Sequence, residues 1–229
     1  MGLNISKGNM YKFVDFTWNT VKGMCPHGCS YCMCKRYGNQ PELHFDKKEL
    51  REFDRDMGQY GAGHFIFVGS SCDMFAKGIP DEWVYETLAK CEDYANKYLF
   101  QTKNPARIIP IDWAMPPKTT ICTTIETNRW IPEVMGRCPT PDERASAMAA
   151  LSRFERYVTI EPIMAFDVEP MVDRIMQCEP VQVNIGADSQ NSGLPEPTAE
   201  EILVLAGELE KFTRVEWKPN IGRILGRTR

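Results

Sequence analysis

No stretch of this 229-residue chain approaches 18 consecutive apolar residues, which excludes a membrane-spanning helix. The opening MGLNISKGNMYKF lacks the apolar core of a secretory signal. Gly2 and Ser6 match an acylation signal only weakly, and no membrane patch follows them. An even framework of spaced cysteine pairs is also missing: of nine cysteines, four crowd into residues 25–34. That argues against a secreted disulfide scaffold, and we expect a reducing, cytoplasmic setting and no membrane partner. Positive charge is not in excess either. Lys and Arg total 27 against 31 Asp and Glu, a net charge of −4, which disfavours a broad nucleic-acid-binding surface but leaves room for a small basic cleft. The basic ending KPNIGRILGRTR reads as a solvated tail. There is no repeat, low-complexity tract or domain-sized linker, so we expect a single domain over residues 1–229 with a sizeable core. The glycine-rich GQYGAG at 58–63 precedes a strand instead of following one, so it is no phosphate cradle. Cys91, Cys122, Cys138 and Cys178 are scattered and read as packed small hydrophobes, leaving no material for an auxiliary cluster.

What is present is alternation. Short apolar or β-branched runs predict strands at 12–18, 64–70, 98–102, 119–126, 156–162, 181–187 and 214–218. Between them, helices are predicted over 46–57, 81–97, 141–152, 167–178 and 198–211. Pro80-Asp81 precedes one helix, and Pro141-Asp142-Glu143 opens another with acids in its first turn. Thr198 and Glu201 have the spacing of a capping box. Strands alternating with helices imply an α/β fold of parallel βαβ units with outer helices. About six such units are too few for a closed eight-strand barrel, so a partial (βα)6 barrel is expected. In such folds the chemistry sits beyond the C-terminal ends of the strands.

The segment GMCPHGCSYCMCKRYG, residues 23–38, carries the spacing Cys25-x3-Cys29-x2-Cys32, with Cys34 close behind. Pro26 and Gly28 bend the chain, and a tight loop after the first strand can turn three thiolates toward one point. Three thiolates do not complete a structural zinc site, which normally takes four ligands. They suit a 4Fe–4S cluster with one iron left open. Cys34, His27 or His44 as a fourth ligand would instead make a zinc knuckle, and the chain a non-catalytic binding module. Cys34, two residues past Cys32, is expected to point to another face.

The cysteine spacing, with Tyr31 before the last cysteine, resembles the radical S-adenosylmethionine (SAM) superfamily. TWNTVKGMCPHGCSYC, FIFVGSSCDMFAKGIP, QTKNP, VTIEPI and VEWKPN are similar, in the same order, to the landmarks of a phage- and prokaryote-associated radical SAM family. The likeness covers about residues 12–220, and spore photoproduct lyase, a DNA-repair member of the superfamily, is a more distant resemblance. The cysteine loop is shorter than that family's, and Cys72 stands where serine is expected. The resemblance implies that Cys25, Cys29 and Cys32 bind three irons of a 4Fe–4S cluster and that the open iron chelates SAM. One electron, from a donor such as flavodoxin or ferredoxin, then cleaves SAM to a 5′-deoxyadenosyl radical. It further implies that Tyr31, Gly69, Ser70, Ser71 and Asp73 flank SAM, that Lys103 meets its carboxylate, and that Thr124 and Glu126 meet the ribose, with Asn128 nearby. A strand-to-helix turn would also favour Gly, Ser and Asp at 69–73. Glu161 ends the fifth strand as the landmark carboxylate, which makes it a further cofactor-binding candidate, or serves as a buried structural one. Asn184, Asp188 and Lys218 are candidate substrate contacts. Cys72 is a candidate catalytic hydrogen-atom donor. The expected substrate is a modified nucleotide or nucleic-acid base, with a peptide or small metabolite as the alternative. Lys218, Arg223 and Arg227 are the clustered cations available for phosphate.

Overall fold

The computed structural model describes residues 2–7, 10–33 and 42–226. Among these, β-branched and aromatic segments pair into an eight-stranded sheet. Its strands are β1 (Asn4–Ile5), β2 (Phe16–Trp18), β5 (Phe65–Val68), β6 (Lys97–Thr102), β7 (Thr119–Thr124), β8 (Glu155–Ile160), β9 (Gln182–Ile185) and β10 (Arg214–Trp217), side by side in that order. Every pairing from β2 to β10 is parallel, and β1 adds antiparallel to β2. β1 and β10 are both edges, so the sheet curls without closing, as expected for a partial barrel. A separate hairpin of β3 (Val21–Lys22) and β4 (His44–Phe45) flanks the cysteine loop.

The α-helices of four residues or more among the described residues are α1 (Lys48–Tyr60), α2 (Asp81–Glu92), α3 (Pro132–Met135), α4 (Pro141–Ala150), α5 (Val168–Gln177) and α6 (Ala199–Leu209). The two-residue period sorts each strand. Ile66, Val68, Tyr98, Phe100, Ile121, Val158, Ile160, Val183 and Ile185 join the main core with the helices. Their neighbours Phe67, Leu99, Cys122 and Tyr157 face the concave side.

The first predicted strand is shorter than expected. Only Phe16–Trp18 pair, because Tyr11 and Val14 are buried among those concave residues and carry residues 10–14 across them as a strap. The Tyr11 hydroxyl donates to Gln101 Oε1 at 2.8 Å. The helix predicted over 81–97 stops at Glu92. There the chain must enter β6, and the Asn96 side chain accepts from the Gly63 and His64 N–H groups at 2.8 and 3.0 Å. The Thr198–Glu201 capping box forms, and Thr140 and Glu143 form a second one on α4.

Candidate functional site

The cysteine loop leaves β3 at the C-terminal rim of the sheet. Gly28, at φ 71°, takes the left-handed turn that folds it back. Cys25, Cys29 and Cys32 all line one cavity of about 440 Å³. Each of the first two meets a thiol from elsewhere. Cys29 Sγ lies 3.4 Å from Cys138 Sγ, and Cys25 is hydrogen-bonded to Cys72. The bond from Cys138, helped by Lys103, outweighs burial and pulls the Cys29 pKa down to about 6. The Cys72 contact likewise lowers Cys25. Cys34 lies outside the described residues.

Among the described residues no three His, Cys, Asp or Glu side chains gather closely enough for a single metal ion. Cys25, Cys29 and Cys32 line one cavity together with Lys103, a donor set that fits a multi-iron cluster, in which each thiolate would bond a different iron.

The second wall is the turn after β5. Gly69, Ser70, Ser71, Cys72 and Asp73 all line the cavity. Asn19 fixes the turn: its amide donates to Ser70 Oγ at 3.1 Å, and its carbonyl accepts the Ser71 N–H at 2.9 Å. Gly69 has φ 79°, and a Cβ there would sit 3.1 Å from the Cys72 carbonyl oxygen. Asp73 is the knot between loops. It accepts from the Thr102 hydroxyl at 2.9 Å and from the Lys103 and Phe75 N–H groups at 2.8 and 2.9 Å. His27 Nε2 lies 2.8 Å from the same carboxylate. Burial would raise the Asp73 pKa, but His27 and the two amides outweigh it and hold it below the usual range. Asp73 thus holds the turn and the cysteine loop together. His27, a zinc candidate from the sequence, is its clamp.

Lys103 reaches the cavity from the end of β6, with its ammonium 5.3 Å from the Tyr31 ring centroid and 3.9 Å from Glu126 Oε1. Burial opposes its charge, yet Cys29 and Glu126 raise its pKa above that of an ordinary lysine. Tyr31 and Thr124 line the cavity too. Glu126 does not. It is fully buried behind the wall, 2.7 Å from the equally buried Arg144, and accepts from the Tyr31 hydroxyl. The structure therefore sets it under Lys103 and Tyr31 rather than in the open. Arg144, which also donates to the Thr124 carbonyl at 2.6 Å, carries no sequence signal, since an arginine in a helix reads as solvated.

Glu161 also stands away from this cavity. It accepts from Lys218, and from Asn220 at 2.7 Å, where Gly186 leaves the space: a Cβ there would lie 2.9 Å from its carboxyl carbon. The Lys218 ammonium lies 4.4 Å from the Tyr11 ring centroid. Asn184 and Lys218 flank a small recess of about 20 Å³ on the concave face. Asp188 instead caps its own loop through Gln190 and Ser192, and Asn128 is tied reciprocally to Asp167. Gln101, missed from the sequence, lines the main cavity and donates to Thr124 Oγ1 at 3.1 Å. A polar residue on the concave phase of an apolar strand was its available signal.

The structure so defines a class: a curled, open α/β sheet, largely parallel, with a cysteine loop at its C-terminal rim. No protein-family model and no curated protein matches the chain. Solved structures share its fold. A cysteine-to-serine mutant of spore photoproduct lyase superposes with a TM-score of 0.71 at 11% identity, covering 94% of this chain and 80% of that one. A tyrosine-to-phenylalanine mutant gives 0.69 at 10% identity, covering 93% and 78%. A double mutant with bound AdoMet and dinucleoside spore photoproduct gives 0.61 at 12% identity, covering 90% of this chain but 64% of that one, a little under two thirds.

Proposed function

We propose that this chain is a radical SAM enzyme acting on a modified nucleic-acid base, with a base lesion in DNA as the preferred substrate. The observation that carries this reading is the convergence of Cys25, Cys29, Cys32, the Gly69–Asp73 turn and Lys103 on one cavity. Its size lies within the range of about 300–1,000 Å³ usual for small-molecule sites. The three thiolates would hold a 4Fe–4S cluster, and SAM would lie between the cluster and the Gly69–Asp73 turn. When bound, the two together supply one-electron chemistry that ends in hydrogen-atom abstraction from substrate.

The chain's own residues orient and shield. Lys103 offers a fixed positive charge for a carboxylate, held by Glu126 and the Tyr31 ring. Ser70 and Ser71, set by Asn19, offer hydroxyls to polar groups of the cofactor. Thr124 offers another for a ribose, and Glu126 acts on the site through Lys103 and Tyr31. Glu161 organises the far side of the concave face with Lys218. Cys72, beside Cys25, is the candidate hydrogen-atom donor. A flavodoxin or ferredoxin is the expected electron source. The nucleic-acid substrate is supported by the neighbour that binds dinucleoside spore photoproduct, and the phage-family reading rests on the sequence landmarks alone.

The test is anaerobic incubation of reduced, iron-loaded protein and SAM with panels of lesion-bearing oligonucleotides, nucleotides, peptides and metabolites. We expect 5′-deoxyadenosine above the uncoupled background with the nucleic-acid panels. Stimulation by peptides or metabolites alone would overturn the substrate class. Protein that takes up zinc but neither iron nor sulfide would overturn the enzyme.

A further inference from the structure

Read as sequence, Cys138 is one more scattered thiol. In the fold it is 6% exposed, and its sulfur lies 3.4 Å from that of Cys29. The approach is built, not incidental. The segment from Ile131 to Cys138 lies on the cysteine loop through four bonds besides the thiol contact: Ser30 N–H to the Val134 carbonyl at 2.8 Å, Arg137 N–H to the His27 carbonyl at 2.7 Å, Arg137 Nε to the Pro26 carbonyl at 2.9 Å, and, while Cys29 is a free thiol, its S–H to the Met135 carbonyl at 3.4 Å. Gly136 permits the contact, since at φ +68° a Cβ would lie 2.3 Å from the His27 oxygen and 2.9 Å from the Gly28 carbonyl carbon. The segment thus brings a thiol, from a different part of the chain, against one ligand of the loop.

Between two free thiols either sulfur can donate. A sulfur bonded to iron carries no proton, so in the loaded protein the direction is fixed, with the Cys138 S–H as donor. We propose that Cys138 donates a hydrogen bond to the Cys29 thiolate and thereby raises the reduction potential of the cluster. This rests on the assignment of Cys29 as an iron ligand. Reduction adds negative charge that spreads onto the cluster and its ligand sulfurs, and a donor aimed at one of those sulfurs stabilises the reduced form more than the oxidised one. Cys138 bonds no iron in this arrangement; it acts through Cys29.

The experiment is an electron-paramagnetic-resonance redox titration of anaerobically purified, loaded wild-type protein, Cys138→Ala and Cys138→Ser, with iron and sulfide measured on each. Cys138→Ala is expected to keep the wild-type iron and sulfide content and to titrate at lower potential. At the wild-type midpoint the ratio of reduced to oxidised cluster should fall about threefold to tenfold, because only the difference in the bond's strength between the two redox states counts. Cys138→Ser, whose hydroxyl can still donate, should recover most of that loss. An unchanged midpoint in Cys138→Ala overturns the proposal. So does loss of iron from it, which would make Cys138 a ligand. Wild-type protein that binds no iron would overturn the cluster assignment itself, a separate outcome.

Discussion

Cys72 is the cavity residue whose packing and chemistry pull hardest in different directions. It is 2% exposed, as a structural thiol would be, yet it lines the cavity beside Cys25. If the thiol returns a hydrogen atom to the substrate, Cys72→Ala should still cleave SAM while its product distribution changes. Chromatography of the products decides, and an unchanged distribution returns Cys72 to packing. Glu126 makes a different prediction, about stability. Burial would raise its pKa, but Arg144, Lys103 and the Tyr31 hydroxyl outweigh it, so the folded value lies below the ordinary 4.5. The stabilisation is therefore complete above about pH 4.5 and is lost as pH falls through the folded value. Glu126→Gln leaves the buried Arg144 without its counter-charge and should cost about 3–5 kcal/mol near neutral pH. In urea unfolding the gap from wild type should close as the solution is acidified. At this scale the sequence was legible where spacing encodes chemistry: Cys25, Cys29 and Cys32 lie on one short loop, and residues 69–73 on one turn. It was silent on Arg144 and Cys138, whose partners are distant in the chain and meet only through tertiary packing.

The elements were legible because burial on this fold follows a two-residue period in strands and a helical one between them. Strands such as Lys97–Thr102 and Arg214–Trp217 begin or end within about two residues of expectation, the margin to which such boundaries are defined. Failures came where an element is too short to show a period. The four-residue α3 and the hairpin of β3 with β4 are examples, held by contacts that no local pattern encodes. Helix α4 shows how a local signal serves the site. Its N-cap Thr140 accepts the Glu143 N–H at 3.2 Å, and the Glu143 carboxylate returns to the Thr140 N–H at 2.7 Å. This box fixes the chain just after Cys138. Thr140→Ala should cost about 1 kcal/mol in denaturant unfolding and speed amide exchange in residues 132–138. Unchanged exchange there would mean that the cysteine loop alone holds the segment.

For the whole molecule, charge placement bears on how a nucleic acid could be held. Two of the three clustered cations singled out in the sequence are engaged. Lys218 is bonded to Glu161, and Arg223 pairs with Glu196, while Arg227 lies outside the described residues. The net charge of −4 disfavours an extended phosphate-binding face. Affinity for a lesion-bearing oligonucleotide should therefore fall only shallowly with salt, with a log–log slope of about −1 to −3. A slope of about −6 or steeper, measured by fluorescence anisotropy, would show an extended phosphate-binding face elsewhere.

The strap of residues 10–14 has a consequence in time. It spans the concave face of the sheet: Phe13 packs on Phe65 with ring centroids 5.2 Å apart, while Tyr11 lies under the ammonium of Lys218, just past β10. Contacts between such distant parts of the chain close the largest loops and so carry a high entropic cost before they form. The strap can complete its set only once the strands from β5 to β10 are laid side by side. Until then Gln101, a wall residue of the cavity, lacks the Tyr11 hydroxyl that orients its amide. The cavity wall at Gln101 is thus expected to order late as this molecule folds, and to loosen when the strap lifts.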